Sequence, residues 1–384
     1  MVAGPVAGEV GMNVSVMQEN LARGLGIVSR AVSSRATLPV LANVLLKTDN
    51  AGLKLTTTNL EIGINCWVPG KVEAEGEITV PAKLLTDLVA SLPNQRIELQ
   101  LSAKDRTLKV TCGGSRSSIK GIDADEFPVV AAIGDAPATS VDSRALREAL
   151  GEVVFAAATD ESRPILTGVL TRLSGNEMTL AAADNYRIAV RTLTVAQPAA
   201  ETSIVVPGRS YAELMRILPD AEQPIEITIT PNKSQVLFHV EGIDLVSRLI
   251  EGQFPNYEPV IPTSHASRAV IDREAFLAGA RRASIFARDS ANIVKVELGG
   301  DGTSEVSITA HAADVGDNAD AIEAAVEGQP TTIAFNARYL IDVLANLGAD
   351  EAALELSGPL APGVVRGIGK GDYVHVIMPV RTAS

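Results

Sequence analysis

Hydrophobic residues recur along this chain in two alternating patterns. Three segments, beginning at Leu21, Leu146 and Phe276, space their apolar residues three to four positions apart, which predicts amphipathic helices. Other runs alternate with a period of two, among them "GLKLTTTNLEIGI", "RIELQLSA", "TLKVTC" and "EVSITAHA". That period is typical of antiparallel strands with one buried face. Helices interspersed with such strands predict an α+β fold.

One line of sequence occurs three times without an internal gap. It reads "ITVPAKLLTDLVASLP" at 78–93, "IVVPGRSYAELMRILP" at 204–219 and "IAFNARYLIDVLANLG" at 333–348. A second line, "LPVLANVLL" at 38–46, resembles "RPILTGVLT" at 163–171. These units are too long for a solenoid repeat and large enough to bury a core each. The predicted organisation is a flexible extension at 1–11, followed by three copies of one domain at 12–134, 135–262 and 263–384.

The repeated line places a cation at an unusual position. Lys83, Arg209 and Arg338 stand at the start of a predicted helix, where the helix macrodipole is positive. In the segment from Leu21, two further cations, Arg23 and Arg30, fall opposite the apolar stripe. A charged face is often simply solvated, but a helix N-terminus with a cation also forms an anion site. The repetition favours a shared basic face that holds a polyanion through its backbone.

Composition and charge limit the classes of protein that remain. The 384 residues are 46% hydrophobic and 21% charged, with a net charge of −13. A negative net charge taken alone argues against a nucleic-acid partner. A positive face can still exist on an acidic protein, so the distribution of charge determines whether DNA or RNA can bind. No apolar run is long enough for a membrane span, and the N-terminus lacks the features of a secretion signal. Two cysteines suggest no disulfide framework, so the cytoplasm is the expected compartment.

No enzyme motif survives inspection. The line "GVVRGIGKGD" lacks the first glycine of a phosphate-binding loop, and the four histidines show no zinc spacing. The acidic line "ADVGDNADAIE" lacks calcium-loop spacing and is interpreted as a solvated loop. No metal, cofactor or catalytic residue is predicted. An enzyme with its site between repeats, and a monomeric interaction scaffold, remain alternatives.

Several motifs together resemble a known family. "TLPVL", "VPAK", "EFP", "GQFPNY" and a terminal "YVHVIMPVR", in three tandem units, are similar to the bacterial sliding clamp, the beta subunit of DNA polymerase III. The resemblance spans residues 12–382. It implies a head-to-tail homodimer closed into a ring, with helices lining the hole and sheets outside. Such a ring encircles double-stranded DNA without reading its sequence and is a non-catalytic subunit of the polymerase holoenzyme, located in the cytoplasm at the nucleoid.

The resemblance also implies partners and binding residues. The polymerase catalytic subunit, the clamp loader and repair proteins are expected to bind through short linear peptides. The expected DNA-binding residues are Arg23, Arg30, Arg35, Lys83, Arg163, Arg209 and Arg338. The expected peptide pocket is lined by Leu166, Ile188, Pro255, Val260, Val376, Met378, Pro379 and Val380, with Arg187 and Arg381 at its rim.

The expected dimer interface pairs Ile285 and Phe286 of one chain with Ser117 and Ile119 of another. Ile285 lies opposite the apolar stripe of its own helix, which independently suggests an outward contact. The family has an aromatic residue at the position of Ser117, so the dimer is expected to be altered here. Three other departures are Gln253 in place of a common arginine, Tyr186 where a His or similar residue is seen, and a tail that continues to Ser384.

Overall fold

The computed structural model describes residues 10–33, 38–49, 52–130, 138–288, 290–300, 302–370 and 372–381. Six α-helices lie within these ranges. They are α1 (Gln18–Val28), α2 (Ala82–Ser91), α3 (Ser143–Val153), α4 (Gly208–Ile217), α5 (Arg273–Ala287) and α6 (Ala337–Asn346).

The described strands form two large, mainly antiparallel sheets, as the alternating pattern predicts. The strands of the first half are β1 (Val10–Met17), β2 (Asn43–Asp49), β3 (Gly52–Thr58), β4 (Ile62–Ala74), β5 (Glu77–Pro81), β6 (Arg96–Ser102), β7 (Thr107–Cys112), β8 (Ser115–Lys120), β9 (Ala138–Asp142), β10 (Gly168–Ala183) and β11 (Arg187–Pro207). Those of the second half are β12 (Pro224–Ile229), β13 (Gln235–Val240), β14 (Ile243–Arg248), β15 (Ser267–Asp272), β16 (Ile293–Leu298), β17 (Glu305–Ala312), β18 (Gly316–Gly328), β19 (Thr331–Asn336), β20 (Glu351–Leu356), β21 (Gly363–Gly367) and β22 (Tyr373–Ile377).

The chain forms two compact units. Unit one consists of the chain up to Ser140 together with Arg216–Leu218 and Pro224–Leu249. Its strands follow the order β8-β7-β6-β1-β4-β14-β13-β12, and β3, β2 and β5 branch from β4. Strand β14, which follows β13 in the middle of the chain, therefore joins the sheet of the first repeat.

Unit two takes Val141–Met215, Pro219–Gln223 and Ile250–Ser384. Its strand order is β10-β11-β22-β21-β20-β15-β18-β17-β16-β19. Here the last strand of the chain, β22, pairs with β11 of the second repeat, with Ile188 opposite Val376. In both units, a strand from one repeat thus extends the sheet of the preceding repeat.

The helices pack on these sheets by the predicted apolar stripes. Leu21, Leu25 and Val28 on α1 have no exposed surface, and α1 contacts β4 and α2. The corresponding stripe of α5 starts at Phe276, which is also fully buried. Burial of each such side chain contributes about 1.5–3 kcal/mol, so these stripes fix which face of each helix remains outside.

Side-chain caps define several helix starts. Asp142 accepts a hydrogen bond from the backbone N–H of Ala145 at α3 (2.9 Å). Asp272 does the same for Ala275 at α5 (2.8 Å). Each cap satisfies one of the free N–H groups of the first turn. Asp142 and Asp272 thus fix the first turns of α3 and α5.

Candidate nucleic-acid and protein-binding surfaces

The repeated cation occupies the same place in three helices. Lys83, Arg209 and Arg338 are each the second residue of their helix, α2, α4 and α6, and all three are exposed. Lys83 and Arg338 make no ion pair within the described part of the chain. Arg209 lies 3.8 Å from Glu161, but both side chains are more than four-fifths exposed (83% and 82%), where an ion pair contributes little. The three cations remain available for an external anion.

Three of the other predicted DNA-binding arginines are also exposed. Arg23 lies on α1, and Arg30 lies in the short 3₁₀ turn Ser29–Ala31 that follows it. Arg163 precedes the turn Pro164–Thr167 and donates from Nη1 to Oδ1 of Asn185 (2.8 Å). Because that partner is neutral, the hydrogen bond orients the guanidinium without cancelling its charge. Arg35 lies outside the described residues.

The residues expected to form the peptide pocket, which we call the groove in unit two, lie where β11 and β22 meet. Leu166, Ile188 and Val376 come from three separate segments and join one cluster of buried side chains. The direct pairing of Ile188 with Val376 brings two of them together. The cluster also contains Phe254 and Tyr257, whose rings meet edge to face at 6.4 Å. The line "GQFPNY" contains these two aromatics, but neither is among the predicted pocket residues.

The edge of this groove carries exposed apolar side chains. Met378 is 37% exposed and Val260 is 36% exposed; Pro255 and Arg381 are also exposed, and Pro379 and Val380 are half-buried. Two backbone hydrogen bonds hold the segment after β22, from Met378 N–H to the carbonyl of Tyr186 and from Val380 N–H to that of Ala334 (both 2.8 Å). Exposed apolar groups on a fixed backbone suit the binding of an apolar side chain.

Arg187, which is expected at the rim of the peptide pocket, is largely enclosed by its own chain. Its side chain is only 10% exposed, and it pairs with Asp184 at 3.0 Å and with Asp342 at 2.5 Å. The guanidinium also lies over the rings of Phe155 and Tyr339. Five donors in one planar group allow these contacts at once. The sequence pattern did not reveal this role because the partners come from distant segments.

A buried polar cluster lies beside this arginine. Burial lowers the pKa of His375 to about 3, so its imidazole is neutral, stacked on Phe155 at 5.5 Å. Burial raises the pKa of Glu152, although Arg191 acts against that shift. Glu152 accepts a hydrogen bond from the backbone N–H of Gly348 (3.2 Å). These groups join α3 to the last repeat and are enclosed in the core.

The predicted dimer residues divide into exposed and buried ones. Ile285 on α5 is 56% exposed, as its position on the wheel predicts, and Phe286 is half-buried. Ser117 is half-buried on β8, which pairs only with β7 among the described strands. Ile119, however, is 3% exposed and belongs to the core of its own repeat. Ser117 and Ile119 lie on the same face of β8, since residues two apart in a strand share a face. The side chain of Ile119 packs in the core, and its contact with a partner stays a prediction.

Metal sites and membrane-spanning helices are both absent from the described residues. They contain no group of three or more His, Cys, Asp or Glu side chains with the geometry of a metal site. None of their helices combines the length and apolar content of a membrane span. Cys66 and Cys112 are free and buried, and burial raises the pKa of the Cys66 thiol to about 11.

Models of three consecutive protein domains match the chain. They describe the N-terminal, central and C-terminal domains of the DNA polymerase III beta subunit and match residues 12–131, 140–256 and 258–381. The chain belongs to the DNA polymerase III beta subunit family. The predicted α+β fold of three tandem clamp domains is thereby confirmed.

Members of this beta subunit family resemble the chain over nearly its whole length. The beta sliding clamp of Synechococcus elongatus is 34% identical over 378 residues, covering 97% of this chain and all of the relative. The beta sliding clamp of Staphylococcus aureus strain Mu50 is 29% identical with the same coverage. The chain is accordingly a sliding clamp for DNA polymerase III.

Solved structures of clamps agree with the fold. A Bacillus subtilis DNA polymerase sliding clamp has a TM-score of 0.92 and 28% identity, covering 97% of this chain and all of the other. A Pseudomonas aeruginosa sliding clamp, described as bound to griselimycin, has a TM-score of 0.90, 28% identity and the same coverage. The beta subunit fold therefore persists at a sequence identity below one third.

Proposed function

We propose that this chain forms a head-to-tail homodimeric ring around double-stranded DNA. The ring tethers the replicative polymerase, has no catalytic activity of its own, and contains six clamp domains. The main support is a strand junction that occurs twice within the chain and is left incomplete a third time.

The two complete junctions have the same form. In unit one, β4 pairs antiparallel with β14, with Gly63 opposite Val246. In unit two, β11 pairs antiparallel with β22, with Ile188 opposite Val376. In each case the long strand pairs on its other side with the preceding strand of its hairpin, β3 or β10. The last strand of one repeat thus closes the sheet of the repeat before it.

Two strands that correspond to those of the internal junctions have no such partner within the described part of the chain. One belongs to the third repeat and the other to the first. In the third repeat, the segment Gly316–Glu323 of β18 pairs only with β17 among the described strands. In the first repeat, β8 likewise pairs with β7 alone within the described part of the chain. Antiparallel pairing of β18 with β8 of a second chain would form the same kind of junction as β4 with β14 and β11 with β22. Since both chains offer both edges, two such contacts close a ring.

Charge supports this pairing. Strand β18 carries Asp317, which pairs with His311 in its hairpin as Gly63 pairs with Thr58. The register of the internal junctions therefore places Asp317 opposite Ser118 of β8, on the same face of the sheet as Arg116 and Lys120. Ile285 on α5, which packs on β18, adds an exposed apolar contact beside that edge. Ser117 and Ile119 supply backbone hydrogen bonds, while the ring of the aromatic residue that the family has at position 117 is missing.

Contacts to DNA come from the helices. Lys83, Arg209 and Arg338, with Arg23, Arg30 and Arg163, offer exposed cations on or beside helices. We propose that these cations, and Arg35, face the duplex inside the ring and contact its phosphates. Phosphate contacts fix position without reading sequence, which suits a clamp that slides.

The groove in unit two receives partner peptides in this proposal. The polymerase catalytic subunit, the clamp loader and repair proteins insert apolar side chains against Leu166, Ile188 and Val376, beside Met378 and Val260. Griselimycin, with which the Pseudomonas aeruginosa relative is described, is proposed to bind this chain as well. The domain boundaries are proposed to lie near residues 134 and 262.

Loading on circular DNA tests the ring. Clamp loaded by its loader and ATP onto a nicked circle should co-elute with the DNA in gel filtration, and cutting the circle once should release it. The Ile285→Asp variant, with a charge at the proposed contact, should not be retained. Equal retention on circular and linear DNA contradicts topological binding. Turnover of nucleotide or DNA by the purified chain contradicts a non-catalytic role.

A further inference from the structure

A second depression lies in unit one, where β4 and β14 meet. Its volume is about 290 Å³, and its lining includes Leu60, Glu61, Gly63, Val129, Val246 and Arg248. We call it the N-terminal groove. Neither the sequence motifs nor the proposed function accounts for it.

The N-terminal groove is built from the same parts as the groove in unit two. Gly63 and Val246 face each other across β4 and β14, as Ile188 and Val376 do across β11 and β22. Pro128, of the line "EFPVV", lines the N-terminal groove and corresponds to Pro255 of "QFPNY". The same arrangement of a strand pair and a nearby proline therefore occurs in two of the repeats.

The two grooves differ in the residue of the long strand that faces the partner strand. Gly63 stands in place of Ile188, and a Cβ atom there would lie 2.7 Å from Cγ1 of Val130, which takes up the space. The N-terminal groove therefore lacks the aliphatic side chain that Ile188 contributes to the apolar cluster of unit two.

Two exposed apolar side chains border the N-terminal groove. Val129 is 95% exposed and Leu60 is 46% exposed. Leu60 has a φ of +76°, a conformation that costs a residue with a side chain about 1–2 kcal/mol. Hydrogen bonds from Leu60 N–H to Oγ1 of Thr58 (3.0 Å) and from Ile62 N–H to Oδ1 of Asn59 (2.8 Å) hold the loop in place. The fold maintains this leucine at the surface despite the strain.

The lining of the N-terminal groove carries one cation, Arg248, and one anion, Glu61. Arg248 is exposed, and no ion pair joins it to Glu61 or to any other carboxylate of the described residues. An unpaired guanidinium beside apolar groups favours a ligand with a carboxylate near an aliphatic side chain. The backbone N–H of Arg248 donates a hydrogen bond to the carbonyl of Glu61 (2.9 Å). This bond fixes the point from which the Arg248 side chain extends.

We propose that the N-terminal groove is a second peptide-binding site, which takes a short extended segment of a partner protein carrying an aliphatic residue next to an acidic one. The aliphatic side chain contacts Leu60 and Val129, and the carboxylate accepts hydrogen bonds from Arg248. The proposal extends the proposed function by giving each chain two unequal sites.

Methyl NMR of the full chain tests the site with two matched probes, Ac-Leu-Glu-NH₂ and Ac-Leu-Gln-NH₂. Titration with the acidic probe should shift the methyl signals of Leu60, Val129 and Val246. The neutral probe should bind about two- to fivefold more weakly, the range expected for an exposed ion pair. Arg248→Gln should remove this difference between the probes.

A double variant, Leu60→Ser with Val129→Ser, supplies the control. Both side chains are exposed, so its melting temperature should match that of the parent, while the shift at Val246 should be lost. Methyl signals of Leu166 and Val376 report separately on the groove in unit two. If these signals do not respond to griselimycin, the proposed function is contradicted, but the proposal of a second site at the N-terminal groove is not.

Two results would overturn the second site. One is the absence of probe-dependent shifts at Leu60, Val129 and Val246, or shifts that persist unchanged in the double variant. The other is loss of the dimer in the double variant during sedimentation, which would assign the N-terminal groove to contact with a second copy of the chain.

Discussion

Arg187 on β11 and Asp342 on α6 form an ion pair, with Nη1 and Oδ2 2.5 Å apart. Asp342 is the third member of the repeated acidic position that also includes Asp87 and Glu213. Arg187 is held from other sides by Asp184, by the carbonyl of Phe155 and by the Tyr339 ring. The arginine expected at the rim of the peptide pocket thus also joins the second and third repeats.

Removal of this guanidinium should destabilise unit two. Arg187→Met leaves Asp184 and Asp342 without their shared partner, and loss of one member of a buried pair costs about 3 kcal/mol. Calorimetry should show a lower melting temperature. Arg144→Met is the matched control, since its partners Asp220 and Glu222 are exposed, and it should change stability by less than about 0.5 kcal/mol. Equal effects of the two variants would contradict the structural role of Arg187.

The repeated cations should govern the salt dependence of DNA binding. Combining Lys83→Ala, Arg209→Ala and Arg338→Ala should weaken binding and flatten the slope of log K against log salt by about 0.9 for each phosphate that is no longer neutralised. Fluorescence anisotropy over a range of salt concentrations measures both. A triple variant of exposed strand and turn lysines, Lys104→Ala, Lys109→Ala and Lys295→Ala, removes the same charge. If this control flattens the slope equally, the helix positions have no special role.

The free edges should determine dimer formation. Arg116→Asp and Asp317→Arg, made separately, bring like charges together in the proposed pairing of β8 and β18 and should weaken the dimer. The two changes combined in one chain restore opposite charges and should recover part of the affinity, as measured by sedimentation equilibrium. Additive weakening in the double variant would contradict this register.

Ile285 should contribute the apolar part of the same contact. Ile285→Asp should lower dimer affinity by at least about tenfold, because a charge replaces an apolar group that becomes buried on association. Leu360→Asp in the same repeat is the control, since Leu360 is even more exposed (67%) and lies outside the proposed contact. A dimer that survives Ile285→Asp unchanged would place the interface elsewhere.

The exposed border of the groove in unit two should control ligand affinity without affecting stability. Met378→Ser with Val260→Ser should weaken griselimycin binding by about tenfold or more in calorimetry. A truncation for the same purpose must start at Met378, since Val376 and Ile377 are buried in β22 (1% and 0% exposed). Leu84→Ser with Leu360→Ser removes two exposed leucines elsewhere and should leave affinity unchanged. Equal losses would argue against this groove.

His375 should make the chain sensitive to acid. Its folded pKa of about 3 lies below the usual value of 6.5, so the unfolded state binds the proton first. Stability is therefore lost as pH falls from about 6.5 toward 3, with a slope of up to about 1.4 kcal/mol per pH unit. His375→Phe keeps a ring against Phe155 and should show a shallower decline in melting temperature between pH 7 and pH 5. Parallel declines would show that other groups dominate.

The sequence by itself determined the elements and their repetition. Apolar spacing fixed the buried stripes of α1 and α5, and the triplicated line placed Lys83, Arg209 and Arg338 at the second residue of three helices. Both follow from local physics, since periodicity and the fixed φ of Pro81 act within a few residues. The same local signals identified Ile285 as an outward-facing apolar residue.

Only the tertiary structure decided how distant segments meet. Nothing in the order of residues shows that β14 joins β4 or that β22 joins β11, because strand pairing depends on the whole sheet. That pairing buries Arg187, aligns Ile188 with Val376 and opens the N-terminal groove at Gly63. Ile119 shows the same limit, since its contribution to an interface depends on which face of β8 the core covers. Long-range pairing decides which of the side chains in a repeated pattern become a core, a groove or a free edge.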